Sequence, residues 1–592
     1  MQARHLVTTA DERTWPTGQP LLFLGGWCQR WERRNQWQTL DATWAEPYGL
    51  GQRSKDADHA YVRDLEMSLF PELCDLLGRW HGVSSDQRYW RIILGHWFRR
   101  YVEVIFNRTR TLQSCIAQYS IDSTTVLENS AYSLATNDSY AAIWASNDDR
   151  WNHELYVRLM KLMPEFNIRF ESVVDDRSDR GFSWQYKEQR GLRTRMVSVF
   201  RSAADRAISL LQAEDDVVIV NSYLPRKQEL KLQVLLGQCP QLLPSNVRPI
   251  RMEPDTERRR ELCQQIAGAE KGDVEQMVRT QLFELLPVCY LEAFSLIKKQ
   301  CARISWPSKP RAVFTSNNFD TDEIFKSWVA DKVLQGSKYI TGQHGNNYGT
   351  HRHHVYPSIE EITADRFVTW GWEDGLSQHR PAFLLKTTGR KTNHPTDPAG
   401  ELLLIEFGLP HRLNTWDVFA EFDDYFEDQK RFVSGLTEPP CRQLRVRLSR
   451  TYEQMGWGEL ERWREFDSGL QLNDGTENID GLIAKSRLVV HSYDSTGILE
   501  TLSQNIPTVA FWQNGLEHVR DSARPWYQLL IDVGIVHLSA ASAAQHVSNV
   551  WDDVAGWWEL AAVKNARLAF CNQYARTVPH PLQELRNILK FY

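Results

Sequence analysis

Residues 487–512 read RLVVHSYDSTGILETLSQNIPTVAFW, a stretch that admits little besides strand, polar turn, helix and second strand. Leu488, Val489 and Val490 are an apolar run of strand length, and residues 491–497 are polar. Ile498, Leu499 and Leu502 then recur at helical spacing, and after Pro507 a second apolar run, 508–512, returns to strand. Two strands joined through a helix pair in parallel, and a parallel sheet needs helices over its faces.

The turn has its own chemistry. The first amides of a helix lack internal partners and lie at the positive end of the helix dipole, a natural seat for phosphate. His491, Ser492, Asp494, Ser495 and Thr496 crowd that seat. With a helix starting near Ser495, Glu500 lies roughly 7 Å along the axis, within reach of a ribose whose phosphate the two hydroxyls hold. A capped helix with a solvated Glu500 is the plainer alternative.

With 592 residues, 42% of them hydrophobic, the chain exceeds one ordinary core, so two domains are expected. A net charge of −6 gives no electrostatic case for nucleic acid. Basic runs such as Arg258, Arg259 and Arg260, or the spaced Arg190, Arg193, Arg195 and Arg201, read first as solvated helix faces and second as contacts with an anionic membrane surface. The nine cysteines are scattered without a CxxC pair, as in a reducing compartment. No apolar leader opens the sequence and no 18 apolar residues run together, so the expected location is cytoplasmic, with peripheral inner-membrane contact as the variant. The 23 tryptophans fit large cores and sugar-stacking surfaces equally.

Along the chain, 21–24 is expected as a first buried strand entering a glycine turn, and 56–119 as a helical insertion. Asp148, Asp149, Asn152, His153 and Glu154 gather at a helix start, where the dipole favours carboxylates; binding of an acceptor is the alternative. Residues 216–220 form the clearest strand of the first half, a helix follows over 226–236, and 270–301 is a long amphipathic helical region. Residues 312–315 make a strand, 316–321 a polar turn, and a helix then carries Ile324, Phe325, Trp328, Val329 and Val333 on one face. Strand 339–341 leads into the glycine-punctuated loop GQHGNNYG, 342–349, and 367–370 is a further strand. Both turns fall at the carboxyl ends of parallel strands, where open α/β sheets bind ligands. Residues 386–400 are the best linker, after which strands restart at 402–407, 444–448 and 534–538 and the end is helical.

The expected fold is therefore α/β and GT-B-like, with two doubly wound Rossmann-type domains facing across a cleft: 1–385 with the helical insertion, the linker 386–400, and 401–592 with terminal helices. Such a pair, with a phosphate seat on the second domain and a histidine loop on the first, suits a glycosyltransferase in which helix dipoles and cations stabilise a departing phosphate without a metal. The loop GQHGNNYG and the run STGILETLSQNIPTVAFW resemble those of bacterial surface-polysaccharide transferases related to retaining β-Kdo transferases of GT-B fold, and more closely a less characterised branch of surface-carbohydrate transferases. That resemblance implies a CMP-activated 3-deoxy-ulosonic acid donor (Kdo or a nonulosonate such as sialic, pseudaminic or legionaminic acid), retention of configuration and a carboxylate nucleophile in the first domain. The acceptor would be a glycan, glycolipid or protein, and no cofactor is implied beyond the nucleotide sugar.

The family's serine-glutamate unit falls on Ser495 and Glu500, and its histidine loop on Gln343, His344 and Gly345, with Asn317 and Tyr348 as neighbouring substrate contacts. The relatives' His-Pro pair is replaced here by Val446, Arg447, Leu448, Ser449 and Arg450, so Arg447 or Arg450 takes the anionic role. Candidates for the nucleophile are Asp322 first, then Glu323 and Asp320, each with an ordinary helix-start carboxylate as its alternative; His344 is the candidate acid or base. His351, His353 and His354 stand near His344, but with no carboxylate or cysteine at familiar ligand spacing no metal is expected. Two other classes remain: a non-catalytic nucleotide-sugar-binding scaffold and a GT-B-type epimerase.

Overall fold

The structure, a computed structural model, describes residues 2–49, 52–84, 86–130, 132–175, 211–241, 250–266, 273–353, 357–390, 399–410 and 422–590. Among them the strands form three sheets, all of whose neighbours pair in parallel. The first holds β1 (Arg4–Val7), β2 (Leu21–Phe23), β3 (Ala42–Trp44), β4 (Ile121–Glu128) and β5 (Arg169–Val174) in the order β3-β2-β1-β4-β5. The second runs strictly in chain order: β6 (Val218–Ile219), β7 (Ala312–Thr315), β8 (Lys338–Gly342), β9 (Arg366–Thr369) and β10 (His379–Pro381). The third comprises β11 (Glu401–Ile405), β12 (Leu444–Arg447), β13 (Gln471–Asn473), β14 (Ser486–His491), β15 (Thr508–Phe511) and β16 (Val536–His537) in the order β13-β12-β11-β14-β15-β16.

The class is α/β with parallel sheets, and the 487–512 unit forms as read: β14, the helix Thr496–Ser503, then β15, with Val489 beside Thr508 and His491 beside Ala510. The central strands of the third sheet, β11, β14 and β15, are nearly continuous apolar runs because both faces are covered; Leu402, Leu404, Val490 and Val509 are fully buried. In the third sheet the winding reverses between β11 and β14. That switch point opens a crevice at the carboxyl ends of the strands, because the crossovers on either side leave in opposite directions.

The first half divides its strands between two sheets, because β6 pairs with β7 and not with β5. The first strand is Arg4–Val7, and the expected 21–24 forms the second, Leu21–Phe23, beside it. The insertion consists of the helices Gln52–His81 and Gln87–Gln118. The second of these, roughly 48 Å long at 1.5 Å per residue, braces the two sheets. Near its start Arg88 donates to the Thr363 carbonyl (2.9 Å) and to Asp365 (2.8 Å), and near its end Arg108 donates to Asn152 (3.0 Å). Of the region 270–301, the described residues 273–301 hold two α-helices, Asp273–Leu285 and Phe294–Cys301, parted at Pro287, which cannot continue the hydrogen-bond ladder.

The terminal helix Pro581–Leu589 returns to the second sheet, where the Arg366 guanidinium donates to the carbonyls of Ile588 and Lys590 at 2.5 and 2.8 Å. Of the linker, 391–398 lies outside the described residues, as do Arg190, Arg193, Arg195, Arg201 and His354. The cysteines are free, and no described helix is long and apolar enough to cross a membrane.

Candidate functional site

After β14 the chain turns through Ser492, Tyr493 and Asp494, and Ser495 caps the helix Thr496–Ser503, its hydroxyl accepting from the Ile498 amide at 3.3 Å. The Thr496 and Gly497 amides at this end have no hydrogen bond among the described residues. Gly497 is required here by close approach, since a Cβ would stand 2.5 Å from Cε1 of His491. That histidine is buried, bonds Ser495 Oγ through Nδ1 (3.3 Å), and is pushed down to about 3 by burial, so it is a neutral support beneath the turn. Ser492 is buried against Tyr425 OH (2.8 Å) and the Ile405 carbonyl (3.1 Å), tying β14 to β11.

The glycine-punctuated loop after β8 meets this turn from the other half. Gln343 is a buried staple: its Oε1 accepts from the Trp370 amide (2.9 Å) and from Trp372 Nε1 (2.8 Å), while its Nε2 donates to the Gly345 carbonyl (2.8 Å). The Asn346 amide donates to Thr496 Oγ1 (3.1 Å), and its side chain to Asp494 Oδ1 (2.6 Å). Gly345 packs against the same Thr496 hydroxyl, which a Cβ would meet at 3.5 Å. Asp494 Oδ2 also accepts from His351 Nε2 (3.2 Å), His518 Nε2 (3.0 Å) and Tyr527 OH (2.8 Å). Burial raises this carboxyl, but the hydrogen bonds from His351 and His518 outweigh it and hold the group well below the ordinary carboxylate range.

Around this junction lies a cavity of about 640 Å³. Tyr493, Asp494, Ser495 and Thr496 from the turn after β14, and Phe407, Leu409 and Pro410 after β11, form its wall on the second half, at the switch point. Asn346, Asn347 and His351 contribute from the β8 loop. The insertion helix Gln87–Gln118 closes the far side with Trp97, Arg100, Tyr101, Glu103 and Arg108. The size suits a ligand larger than a monosaccharide, and the Phe407 and Tyr493 rings, 4.6 Å apart, offer an aromatic edge beside the amides. Glu103 has no hydrogen bond among the described residues, and burial raises its carboxyl against the pull of Arg99 and Arg100. Sequence reasoning passed over Glu103 because a carboxylate in the middle of a long amphipathic helix carries no local signal.

The carboxylates expected to react are otherwise engaged, and none lines the cavity. Asp322 caps the helix Glu323–Leu334, accepting from the Phe325 amide (3.0 Å) and from Asn318 Nδ2 (2.9 Å), and is 3% exposed. Glu323 pairs with buried Lys326 (3.0 Å) and accepts from the Ser139 amide (3.0 Å). Asp320 takes a two-pronged pair from Arg100 at 2.6 and 2.7 Å, and that pairing holds it well below the carboxylate range despite burial. It therefore reaches the cavity only through its partner. Asn317 precedes the short helix Asn318–Thr321 and does not line the cavity.

His344 lies between Phe319, tilted at 5.5 Å, and Tyr223, edge to face at 6.2 Å, and burial pushes it down to about 4. Its Nδ1 contacts Tyr348 OH at 2.8 Å, and that phenol donates in turn to Glu360. Tyr348 is thus a buried relay and not a wall residue. Glu500 forms an ion pair with Lys386 (3.0 Å), and Arg447 donates to the Gly475 carbonyl (3.1 Å), so both stand outside the cavity lining. In the 148–154 cluster Asp148 caps its helix, His153 bonds Thr8 (2.8 Å) and Asn152 holds Arg108, all of which are packing roles. His353 bonds Asp56 at 2.6 Å, apart from His351.

A parallel-sheet α/β protein with a ligand-sized cavity at its switch point is a common frame for group transfer. The chain belongs to the LIC12162 family of transferases, whose profile matches residues 4–589. No curated protein sequence matches it significantly. Among solved structures it is similar to MurG of Acinetobacter baumannii, at 12% identity and a TM-score of 0.33 over 63% of this chain and 99% of that one. WaaG, a glycosyltransferase involved in lipopolysaccharide biosynthesis, matches at 11% and 0.29 over 50% of this chain and 95% of that one. The wall teichoic acid polymerase TagF matches at 9% and 0.31 over 67% and 95%.

Proposed function

We propose that this transferase is a glycosyltransferase whose nucleotide-activated donor seats its phosphate on the Thr496 and Gly497 amides and its base beside Phe407 and Tyr493. The observation that carries the reading is the cavity at the switch point, where a helix N-terminus, two hydroxyls and an aromatic edge meet a carboxylate from the other half. The sequence resemblance extends the proposal to a CMP-activated 3-deoxy-ulosonic acid transferred with retention to a surface glycan, glycolipid or protein. In that scheme Glu103, ionised, attacks the anomeric carbon as the bond to the phosphate oxygen breaks and CMP leaves with the electron pair. An acceptor hydroxyl then displaces the carboxylate and gives up its proton to solvent or a nearby base. Arg100 faces the same space, where its charge favours the departing anion.

Thermal-shift titration with CMP, CDP, UDP and GDP tests the donor, since a nucleotide that binds only the folded chain must raise Tm. Stabilisation by CMP alone supports the ulosonate donor. Preference for UDP or GDP keeps glycosyl transfer and discards that donor, and silence from all four overturns the nucleotide seat in favour of the scaffold reading. Glu103→Gln is expected to lower kcat by about 100-fold or more with nucleotide affinity within about twofold of wild type; unchanged turnover removes Glu103 from the chemistry.

A further inference from the structure

At the seam between the halves, two histidines and a carboxylate converge on one point. His351 Nε2 and His518 Nε2 lie 3.2 and 3.0 Å from the same oxygen, Oδ2 of Asp494, and one ligand atom from each residue falls within 4.8 Å of the others. The two rings meet edge to face with centroids 5.0 Å apart. A tetrahedral ion with bonds of about 2.0–2.1 Å separates its ligand atoms by about 3.3–3.4 Å, and the two nitrogen–oxygen separations, 3.2 and 3.0 Å, lie within a few tenths of an ångström of that.

The backbone holds the trio in place beforehand. His351 forms an antiparallel bridge with Val519; the Arg352 amide donates to the His518 carbonyl (2.7 Å) and the Arg520 amide to the Thr350 carbonyl (2.8 Å). The Arg520 side chain closes the bridge on the His351 carbonyl at 2.9 Å. The carboxylate is oriented by Asn346 on its other oxygen, Oδ1, and by Tyr527 on Oδ2, the kind of hydrogen bonding that fixes metal-binding carboxylates. All three residues also line the cavity, which leaves a coordination position open to water or a ligand oxygen.

We propose that His351, Asp494 and His518 bind one divalent transition-metal ion, Zn²⁺ foremost, joining the two halves at the cavity wall. Two imidazoles and one carboxylate select such an ion over Mg²⁺ or Ca²⁺, which prefer all-oxygen sets. On binding, each imidazole turns its Nε2 lone pair to the ion and carries its proton on Nδ1, so the two hydrogen bonds to Asp494 are exchanged for metal bonds. The site needs no nucleotide and stands whether or not the donor is a nucleotide sugar.

The test is equilibrium dialysis of the full chain against Zn²⁺ without nucleotide, with the bound metal quantified, and the visible spectrum after Co²⁺ loading. Wild type is expected to retain one equivalent and to give the intense bands of tetrahedral Co²⁺. His518→Gln and His351→Gln keep an amide donor for Asp494 but lack the imidazole, and both are expected to lose the equivalent while His353→Gln retains it. Wild type that holds no stoichiometric ion, or an equivalent that survives both glutamine variants, overturns the site. A Tm close to wild type establishes that each variant is folded. Should one unfold, the other decides, and the wild-type stoichiometry stands on its own.

Discussion

A buried carboxylate must cap a helix, pair with a cation, or hold a proton, and the acidic residues near the cavity divide among these outcomes. Asp322 is the first kind. Asp322→Ala is expected to cost about 1–2 kcal/mol of stability, measured by urea unfolding, and to leave kcat per folded molecule unchanged; a loss above about 100-fold in folded protein would return it to the chemistry. A carboxylate opening a helix after a parallel strand looks the same in sequence whether it caps or reacts, so the distinction came only with Phe325 and Asn318 on its oxygens. Glu360 is the third kind. It is buried in the first turn of the helix Ile359–Thr363, and burial pushes it up to about 7 against the Tyr348 hydrogen bond. Between pH 4.5 and 7 the native chain holds this proton and the unfolded chain does not, so the group's contribution is present in full at acid pH and fades as pH rises through 7. Glu360→Gln, which keeps an acceptor for Tyr348, is expected to gain on wild type by about 2 kcal/mol between pH 5 and pH 8. Denaturant midpoints at the two pH values check this, and parallel curves would show that the proton is not held.

The helix Thr496–Ser503 does two jobs at one end: Ser495 satisfies the Ile498 amide, while the Thr496 and Gly497 amides are left for a ligand. Charge separates the jobs. Ser495→Asp retains a good N-cap, so stability is expected to stay within about 0.5 kcal/mol of wild type, but it sets a negative charge where the phosphate belongs. Nucleotide affinity is expected to fall at least about tenfold, with the loss growing at low salt where screening is weak. Calorimetric titration measures it, and unchanged affinity would move the phosphate away from this helix. The element was legible because apolar spacing, polar turn and second strand all lie within 26 consecutive residues, 487–512. The opposite wall was legible only as an insertion. The apolar face of Gln87–Gln118 marks a helix, but which sheet edges it spans, and hence that Glu103 opens into the cavity, depends on contacts with residues far away in sequence such as Thr363 and Asn152.

Over the whole molecule, the parts hidden from sequence are those set by long-range pairing. Strands 312–315 and 444–447 could be read from their own residues, whereas the pairing of β6 with β7, which splits the first half into two sheets, and the return of Pro581–Leu589 onto Arg366 could not. The halves are held together at many places, among them that returning helix, Lys386 on Glu500, Arg390 on Asp480, Arg352 on Asp521, the bridge at His351 and Val519, and Asp494. At Asp494 four donors end on two carboxylate oxygens, and two of them, Asn346 and His351, cross from the first half. Asp494→Ala leaves these donors at the cavity wall without their shared acceptor, and the expected cost is about 1–3 kcal/mol. Because Asn346 and His351 come from the first half and His518 and Tyr527 from the second, that loss falls on the junction and not on either sheet. Calorimetric unfolding of the variant is therefore expected to separate into two transitions; Asp494→Asn, which keeps an acceptor oxygen, should fall between the variant and wild type. A single cooperative transition lowered as a whole would instead mean that Asp494 supports the core of one half, and that the remaining contacts between the halves are enough to couple the two.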